Sequence, residues 1–404
     1  MGNNLPPVMA AERKAGAPAL PSPVRPDLSG RLVVHVVRQY APSRGGLEDV
    51  VSNLARQSLD AGCRVRVVTL DRVFADPALR LPARDTIDGV EVVRIPFRGS
   101  SRYPLAPGVF AELADADIVH VHAIDFFYDA LALGWLLHRK PMIVTTHGGF
   151  FHTRKHAALK AAWFQTLTRL SALAYRHVVC CSHSDLALFG RIAPGRVTLI
   201  ENGTDTAKFH DRASAVPARR IVTIGRFSAN KRLDRLVETM AQLEQREPGW
   251  HLDIIGVPSD LTVADLEQAI SERRLTAEIT LHVGIGNDEI AALIGQASFF
   301  ASASEYEGFG LVAIEAMSAG LVPVLHGNEA YKALASKHRD IVLVDFADAK
   351  EAAGQILAAS EILKGSHEDS RKRRIAEAGA YSWDAVAKSY LALYQDCLAG
   401  SQPK

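Results

Sequence analysis

The sequence of 404 residues lacks any apolar run of about 18 residues, the length that a helix needs to cross a bilayer. It also lacks a charged N-terminal stretch followed by a hydrophobic segment, so no secretory signal is predicted. The four cysteines show neither the spacing of a zinc site nor that of a disulfide framework. We therefore expect a cytoplasmic protein whose contact with any membrane is peripheral.

The sequence has little excess charge of either sign. Its 46 basic and 45 acidic residues leave a net charge of +1, whereas a nucleic-acid-binding protein needs a basic domain or stripe. No nucleic-acid partner is expected. A composition of 48% hydrophobic and 23% charged residues is typical of a globular protein, and the length suffices for two domains.

Two series of short β-branched runs alternate with helical patterns. Continuous apolar strands between amphipathic helices predict parallel sheets covered on both faces. We predict strands in the first series at residues 32–37, 65–70, 117–122, 142–147 and 177–182, and in the second at 220–225, 251–256, 279–284, 299–304, 322–326 and 341–345.

The two series predict an α/β protein of two Rossmann-like, doubly wound domains that face a central cleft. The first domain is placed at 31–212 and the second at 215–382, because the polar segment between the two series has no periodicity. Residues 1–30, rich in proline and alanine, are expected to be a disordered leader.

Two positions at predicted strand ends of the first domain suit a ligand. Gly45 and Gly46 lie in a strand-to-helix turn where the backbone can approach a phosphate, although such a pair is often a simple turn. His147 ends the fourth predicted strand and is followed by Gly148. From position alone, a ligand contact and a structural role for His147 are equally open.

The second domain carries cations and carboxylates in the same kind of position. Arg226 follows a strand and Lys231 lies near a helix start, where two cations suit a diphosphate unless they are solvated surface charges. Glu307 lies in a glycine-rich turn and Glu315 follows eight residues later, so the two carboxylates can contact different parts of one extended ligand. Glu305, two residues before Glu307, is an alternative to Glu307 as the carboxylate in the turn.

Taken together, these segments resemble the retaining glycosyltransferases of family 4, which have the GT-B fold. The resemblance covers residues 33 to about 395 and is carried by PSRGGLE, ENGTD, GRFSANK, EYEGFGLVAIEAMSAG and the strand that ends at His147. It implies an acceptor-binding first domain, a nucleotide-sugar-binding second domain, and a C-terminal helix at 383–399 that packs back on the first domain.

The resemblance implies roles for individual residues. Gly45 and Gly46 would contact the donor phosphate, Arg226 and Lys231 would neutralise the departing diphosphate, and His147 would lie beside the reacting sugar. Glu307 would bind hydroxyls of that sugar, Glu315 would hold the ribose, and backbone N–H groups at Gly310 and Leu311 would face the phosphate. The catalytic set is therefore His147, Glu307, Arg226 and Lys231.

The sequence departs from the family pattern at two places. Many members have Lys-Gly where this chain has Lys231-Arg232, and many have His-Asp where it has His147-Gly148, so no aspartate helps to orient His147. No metal or other cofactor is expected, because protein cations neutralise the diphosphate. Asp115-Ala116-Asp117 has the form of a metal-binding Asp-x-Asp motif, but it precedes a strand at the end opposite the expected cleft.

Several segments, among them RGSSRYPLAP, IDFFYDALAL and THGGFFHT, carry a narrower resemblance to family members of exopolysaccharide assembly. That likeness implies transfer of mannose from GDP-mannose to a cellobiosyl acceptor linked to polyprenyl diphosphate. Alternatives are a family 4 transferase that uses a UDP-sugar, a sugar-nucleotide epimerase and a non-catalytic binding protein. A nicotinamide dehydrogenase lacks support, because no Gly-x-Gly-x-x-Gly follows the first strand.

The lipid-linked acceptor directs attention to two parts of the first domain. The predicted helix at 153–177 carries basic residues and apolar residues at helical spacing, which suits the anionic inner membrane on its cytoplasmic face or, alternatively, an ordinary core-facing helix. These residues are Arg154, Lys155, Leu159, Lys160, Trp163, Leu167, Arg169, Leu170, Ala174 and Arg176. The acceptor itself is placed at Tyr103, Asp125, Phe126, Phe127 and Tyr128, near strand ends.

Overall fold

The structure is a computed structural model that describes residues 28–43, 45–101, 103–148 and 162–400. Most of the predicted leader at 1–30, and residues 153–161 of the predicted basic helix, therefore lie outside the described residues. Two large sheets organise the described chain, one in each half. This arrangement confirms the predicted α/β class with two Rossmann-like domains.

The first half is built on an eight-stranded sheet in the order β12-β11-β10-β9-β1-β2-β6-β5. All neighbours pair in parallel except β5 and β6, which form an antiparallel edge that the sequence patterns did not predict. The strands of this half, including two short hairpins, are β1 Leu32–Val36, β2 Arg64–Leu70, β3 Arg72–Val73, β4 Asp76–Arg80, β5 Arg84–Ile87, β6 Val90–Ile95, β7 Arg98–Gly99, β8 Pro104–Leu105, β9 Ile118–His122, β10 Met142–Thr145, β11 His177–Cys180 and β12 Val197–Leu199.

Helices cover both faces of the first sheet, which explains why β1 and β9 are buried along their whole length. The helix that follows β1 starts at Gly46, directly after the glycine pair. The helices of this half are α1 Gly46–Asp60, α2 Phe126–Leu133, α3 Trp135–His138, α4 Arg169–Ala172 and α5 His183–Phe189, with a 3-10 turn at Pro107–Leu113 and a π turn at Phe164–Thr168.

The second half is a six-stranded parallel sheet in the order β15-β14-β13-β16-β17-β18. Its strands are β13 Arg220–Ile224, β14 His251–Gly256, β15 Ile279–Val283, β16 Phe299–Ser302, β17 Val322–His326 and β18 Val342–Val344. Its helices are α6 Leu233–Arg246, α7 Val263–Glu272, α8 Asn287–Ile294, α9 Leu311–Ala319, α10 Glu329–Ala335 and α11 Ala349–Ala378, with a 3-10 turn at Ala229–Lys231. All six strands agree with the predicted second series.

Within the described residues, the chain crosses twice between the halves. The segment after β12 packs on the second half from Phe209 onward, because Phe209 and Ala213 lie in its core. After a 3-10 turn at Gly379–Tyr381, the last helix α12 (Trp383–Ala399) packs on α1, and Tyr390 and Tyr394 enter the core of the first half. A Cβ on Gly203 would lie 2.7 Å from the Trp383 ring, so the two crossing segments pack tightly where they meet.

Candidate functional site

The strand orders place a topological switch point in each sheet. In the second sheet β13 has β14 on one side and β16 on the other, and in the first sheet β1 lies between β2 and β9. Parallel sheets of this kind bind ligands in the crevice at the carboxyl ends of the two strands that flank the switch. Arg226 follows β13 and Glu307 follows β16, so two predicted site residues meet at this crevice.

A lysine and a glutamate are joined directly at this crevice. Lys231 Nζ lies 2.7 Å from Glu307 Oε1, and both side chains are mostly buried. Arg226 and Lys231 line one small cavity with Gly225 and Ser302, while the Arg226 side chain is exposed. In the described chain Arg226 has no ion pair. The site therefore offers one exposed cation and one cation already held by a carboxylate.

Asn230 ties together the two loops that carry this pair. Its side-chain nitrogen donates to the Tyr306 carbonyl at 2.9 Å and its side-chain oxygen accepts from the Tyr306 backbone N–H at 3.1 Å. The Glu305 backbone N–H donates to the Asn230 carbonyl at 3.0 Å. Asn230 was not among the predicted site residues, although an asparagine next to Lys231 was a usable signal for a side chain that bonds to loop backbone.

The glycine-rich turn leads into α9 through a residue that must be glycine. Gly310 is the N-cap of α9 with φ 84°, and a Cβ there would lie 2.7 Å from the Tyr331 ring. Tyr331 in turn donates to Ser302 Oγ at 2.9 Å and contacts Glu307 Oε1 at 3.3 Å. The first turn of α9, from Leu311, presents backbone N–H groups that have no partner within the helix, which suits an anion.

Glu315 lies on α9 and is held from the crossing segment. Thr204 Oγ1 donates to Glu315 Oε1 at 3.0 Å, and burial raises the pKa of the Glu315 carboxyl. Thr204 belongs to the ENGTD segment, which carries part of the family resemblance but had no predicted role. The contact explains that segment, because it joins the helix that carries Glu315 to the junction between the halves.

The structure separates Glu305 from Glu307. Glu305 is exposed and pairs with Arg232 at 2.5 Å and Arg235 at 3.1 Å, on the outside of the loop. Arg232 itself has φ 46°, a left-handed conformation that favours glycine, at the position where many family members have one. Bonds to Asp234 and Glu305 hold the Arg232 side chain away from Lys231.

In the first half, Gly45 is the N-cap of α1 and Gly46 is its first residue. A Cβ on Gly45 would lie 2.6 Å from Glu48 Oε2, whereas a Cβ on Gly46 would meet no atom within 4 Å. The open space at Gly46 suits the close approach of a ligand to the backbone. The Glu48 carboxylate lies at the same helix N-terminus, so a phosphate there would compete with Glu48.

His147 lies just beyond β10 with φ 52° and is only partly exposed. Its Nε2 lies 3.1 Å from His122 Nδ1, and His122 Nε2 lies 2.9 Å from His35 Nδ1. Burial lowers the pKa of His147 and of His35 to about 3, so these imidazoles are neutral at pH 7. Asp185 accepts hydrogen bonds from the Thr146 hydroxyl and from the Gly148 backbone N–H. The side chain of His147 is therefore bonded to His122 and not to Asp185.

The buried histidines also form the group in the described chain that best matches a metal site. Ligand atoms of His35, His120 and His122 lie within 4.8 Å of one another. Of their six ring nitrogens, five make hydrogen bonds within the protein, including those of His120 to Tyr394 and Thr145. These nitrogens are committed to the hydrogen-bond network, so the group is better explained as a buried polar network than as a metal site.

The Asp-x-Asp sequence has structural partners. Asp115 bonds to Arg66 at 2.7 Å, and Asp117 bonds to Arg31 at 3.0 Å and to the Leu32 backbone N–H at 2.8 Å. Both precede β9, whose carboxyl end leads to the site. The two aspartates therefore stabilise the opposite edge of the sheet.

The predicted acceptor residues divide into two groups. Asp125 and Tyr128 are buried: Asp125 caps α2 and pairs with Arg38 at 2.8 Å, and Tyr128 donates to the Thr168 carbonyl. Phe127 is likewise fully buried. The prediction that these three contact the acceptor is wrong, because α2 turns them into the core. The rings of Tyr103 and Phe126 lie 5.7 Å apart at the partly exposed edge.

The described part of the 153–177 segment turns only part of its predicted apolar stripe inward, because Ala174 packs against the core. Trp163 and Leu170 are exposed, while Phe164, Thr168 and Ala172 face the core. The segment therefore packs on the core through these residues, as an ordinary core-facing helix would, while Trp163 and Leu170 lie on its exposed face. No described helix combines the length and the apolar character that a membrane span requires.

Two family models match adjacent parts of the chain. The model described as Glycosyltransferase Family 4 matches residues 44–208, and that described as Glycosyl transferases group 1 matches residues 206–379. The boundary between them falls in the crossing segment that follows β12.

Full-length relatives are similar over nearly the whole chain. One from Xanthomonas oryzae pv. oryzae (strain PXO99A), named GDP-mannose:cellobiosyl-diphosphopolyprenol alpha-mannosyltransferase, is 46% identical over 91% of this chain and 97% of its own length. A protein of the same name from Komagataeibacter xylinus is 42% identical over 92% of this chain and 95% of its own length.

Solved structures share the fold at lower identity. A glycosyltransferase from Rickettsia africae ESF-5 gives a TM-score of 0.67 at 18% identity, covering 92% of this chain and 100% of that structure. Sucrose-phosphate synthase from Thermosynechococcus elongatus gives 0.63 at 20% identity with the same coverage. The fold is thus that of GT-B enzymes, and the chain belongs to the family 4 glycosyltransferases.

Proposed function

We propose that this protein transfers mannose from GDP-mannose, with retention at the anomeric carbon, to a cellobiosyl acceptor linked to polyprenyl diphosphate. The observation that carries the proposal is the meeting of Arg226, Lys231 and Glu307 at one switch-point crevice. Cations beside a helix N-terminus stabilise a departing diphosphate, and a carboxylate accepts hydrogen bonds from sugar hydroxyls. The donor and acceptor named for the relatives fit this chemistry.

The proposed chemistry uses groups of the protein and no metal ion. As the bond from the sugar to the diphosphate breaks, negative charge grows on the diphosphate oxygen, which can itself take the acceptor proton. Arg226, Lys231 and the first turn of α9 stabilise that charge. Activity that is unchanged in EDTA is expected, whereas activity that EDTA removes and a divalent cation restores would contradict the metal-independent mechanism.

The test of the transfer reaction uses membranes or vesicles that carry polyprenyl-diphosphate-linked cellobiose and a panel of labelled nucleotide sugars. We expect label in the lipid fraction from GDP-mannose and little from UDP-glucose. Lys231→Met should lower the rate about 10²- to 10³-fold, because a preorganised charge at the leaving group is lost. The matched control Lys332→Met removes an exposed lysine of α10 and should keep the wild-type rate. Transfer from a UDP-sugar but not from GDP-mannose would contradict the proposed donor.

We further propose that the protein works bound peripherally to the cytoplasmic face of an anionic membrane, where a lipid-linked acceptor resides. Exposed leucines and tryptophans of α2, α3 and the 162–173 segment support this contact, with the exposed fraction of Leu137 reaching 85%. Trp135 and Leu173 line one groove with Arg139, Arg176 and Arg196. Apolar side chains beside basic ones are typical of surfaces that bind the membrane interface.

Vesicle sedimentation tests the membrane contact. The double variant Leu136→Ser/Leu137→Ser removes two exposed apolar side chains of α3 and should weaken binding to anionic vesicles about 10- to 100-fold. Ile362→Ser, which removes a similarly exposed side chain from the second half, is the matched control and should bind like the wild type. Equal binding by all three proteins would refute this surface.

A further inference from the structure

Three imidazoles form a continuous hydrogen-bonded row from the interior of the first sheet to the edge that carries the site. His35 is the fourth of the five residues of β1, His122 ends β9, and His147 lies just beyond β10. The Nδ1 of His35 lies 2.9 Å from the Nε2 of His122, and the Nδ1 of His122 lies 3.1 Å from the Nε2 of His147. Pairing of β9 with both β1 and β10 brings the three strands together.

The row is neutral, which restricts it to two arrangements of protons. Burial lowers the pKa of all three histidines, so each ring carries one N–H and one lone pair at pH 7. Each hydrogen bond in the row needs an N–H group from one ring and a lone pair from the next. The N–H groups therefore point either from His35 toward His147 or from His147 toward His35.

The buried end of the row decides between the two directions. His35 is completely buried, and its Nε2 has no hydrogen-bond partner among the described residues. If the row pointed inward, that nitrogen would carry a buried N–H without an acceptor, which is rare in folded proteins. If the row points outward, Nε2 carries only a lone pair. The second arrangement costs less, because an unsatisfied acceptor is better tolerated than an unsatisfied donor.

We propose that this row fixes the tautomer of His147, with His122 as the positioning residue. His122 Nδ1–H donates to His147 Nε2, so the proton of His147 resides on Nδ1. In the described chain that nitrogen contacts only the Cys181 sulfur, at 4.0 Å, which is a weak partner. His147 thus presents a neutral N–H donor to a sugar hydroxyl or to the diphosphate.

The row also explains how His147 is oriented in a chain where glycine follows it. Many family members have an aspartate at the position of Gly148, and the nearby Asp185 is engaged with Thr146 and the Gly148 backbone. A carboxylate partner would accept a hydrogen bond from the ring and favour the charged imidazolium, whereas His122 donates a hydrogen bond and keeps His147 neutral. The tautomer of His147 does not depend on the proposed function. Only the role of its N–H group in catalysis rests on that function.

The tautomer is measurable without substrate. Protein labelled with ¹⁵N-histidine gives long-range ¹H–¹⁵N correlations that distinguish a protonated from an unprotonated ring nitrogen, and His147→Gln identifies the signals of His147 by their loss. We expect a single species protonated on Nδ1 between pH 6 and 8. A species protonated on Nε2, or a charged ring, would overturn the proposal, and this spectrum decides even if His122→Leu does not fold.

Variants give the second readout. His122→Leu breaks the row and should lower kcat for mannosyl transfer about 10- to 100-fold with little change in donor KM, and convert the His147 signals to a mixture of tautomers. The matched control His120→Leu removes an equally buried imidazole from the same strand but outside the row, and should keep the tautomer and most of kcat. Equal kcat in the two variants would refute the role of His122, whereas absence of transfer by the wild type would refute the proposed function alone.

Discussion

Replacing Glu307 with glutamine keeps the shape of the side chain but removes the charge that holds Lys231. The Lys231 ammonium lies 2.7 Å from the carboxylate, and the two side chains are 21% and 16% exposed. A diphosphate must draw Lys231 away from Glu307 and must also approach a like charge. We therefore expect Glu307→Gln to bind GDP more tightly than the wild type, while it transfers mannose more slowly.

The magnitude follows from the geometry. Two unit charges about 4 Å apart interact with about 4 kcal/mol at the effective dielectric constant of a protein surface. Solvation of the freed groups offsets most of that value. A net gain of about 1.4 kcal/mol corresponds to about tenfold tighter GDP binding. For the transfer reaction, loss of the carboxylate should lower kcat about 10²-fold or more.

Isothermal titration calorimetry of GDP with the wild type, Glu307→Gln and Glu305→Gln measures the effect. Glu305 is the matched control, because it lies two residues away and pairs with Arg232 and Arg235 on the outside of the loop. Its variant should bind GDP within about threefold of the wild type, since exposed charges are screened over about 8 Å at physiological salt. Unchanged or weaker GDP binding by Glu307→Gln would refute the reasoning.

Three further predictions concern the loops and the core. Asn230→Ala removes the bonds that align the Lys231 and Glu307 loops and should lower kcat about tenfold or more without unfolding the protein, as kinetics and circular dichroism can show. Gly310→Ala places a Cβ 2.7 Å from Tyr331 at φ 84° and should cost several kcal/mol in urea unfolding, whereas a loss under 1 kcal/mol would contradict the packing. Because the pKa of His35 falls from 6.5 to about 3 on folding, the unfolded chain gains a proton below pH 6.5 that the native state does not. Between pH 6.5 and 5 the wild type should therefore lose about 2 kcal/mol more stability than His35→Leu, and parallel losses would contradict this.

Some predictions succeeded because they depended on short stretches of sequence. The apolar runs of β1, β9, β13 and β16 lie in parallel sheets covered on both faces, and such strands are apolar over much of their length. Gly310 needs a left-handed φ, which favours glycine at that position. Elsewhere the pattern was too short or too polar: β5 has exposed residues and β12 has three residues, and neither stands out in the sequence.

The sequence alone determined the two-domain architecture and the residues at the carboxyl ends of the strands, because strand periodicity and turn glycines are local properties. Only the tertiary structure decided which of these residues share a site. It joined Lys231 to Glu307 across 76 residues, turned Asp125 and Tyr128 into the core, and linked His147 through His122 to His35. Such contacts depend on the pairing order of strands and the rotation of helices, and local sequence patterns do not specify either one.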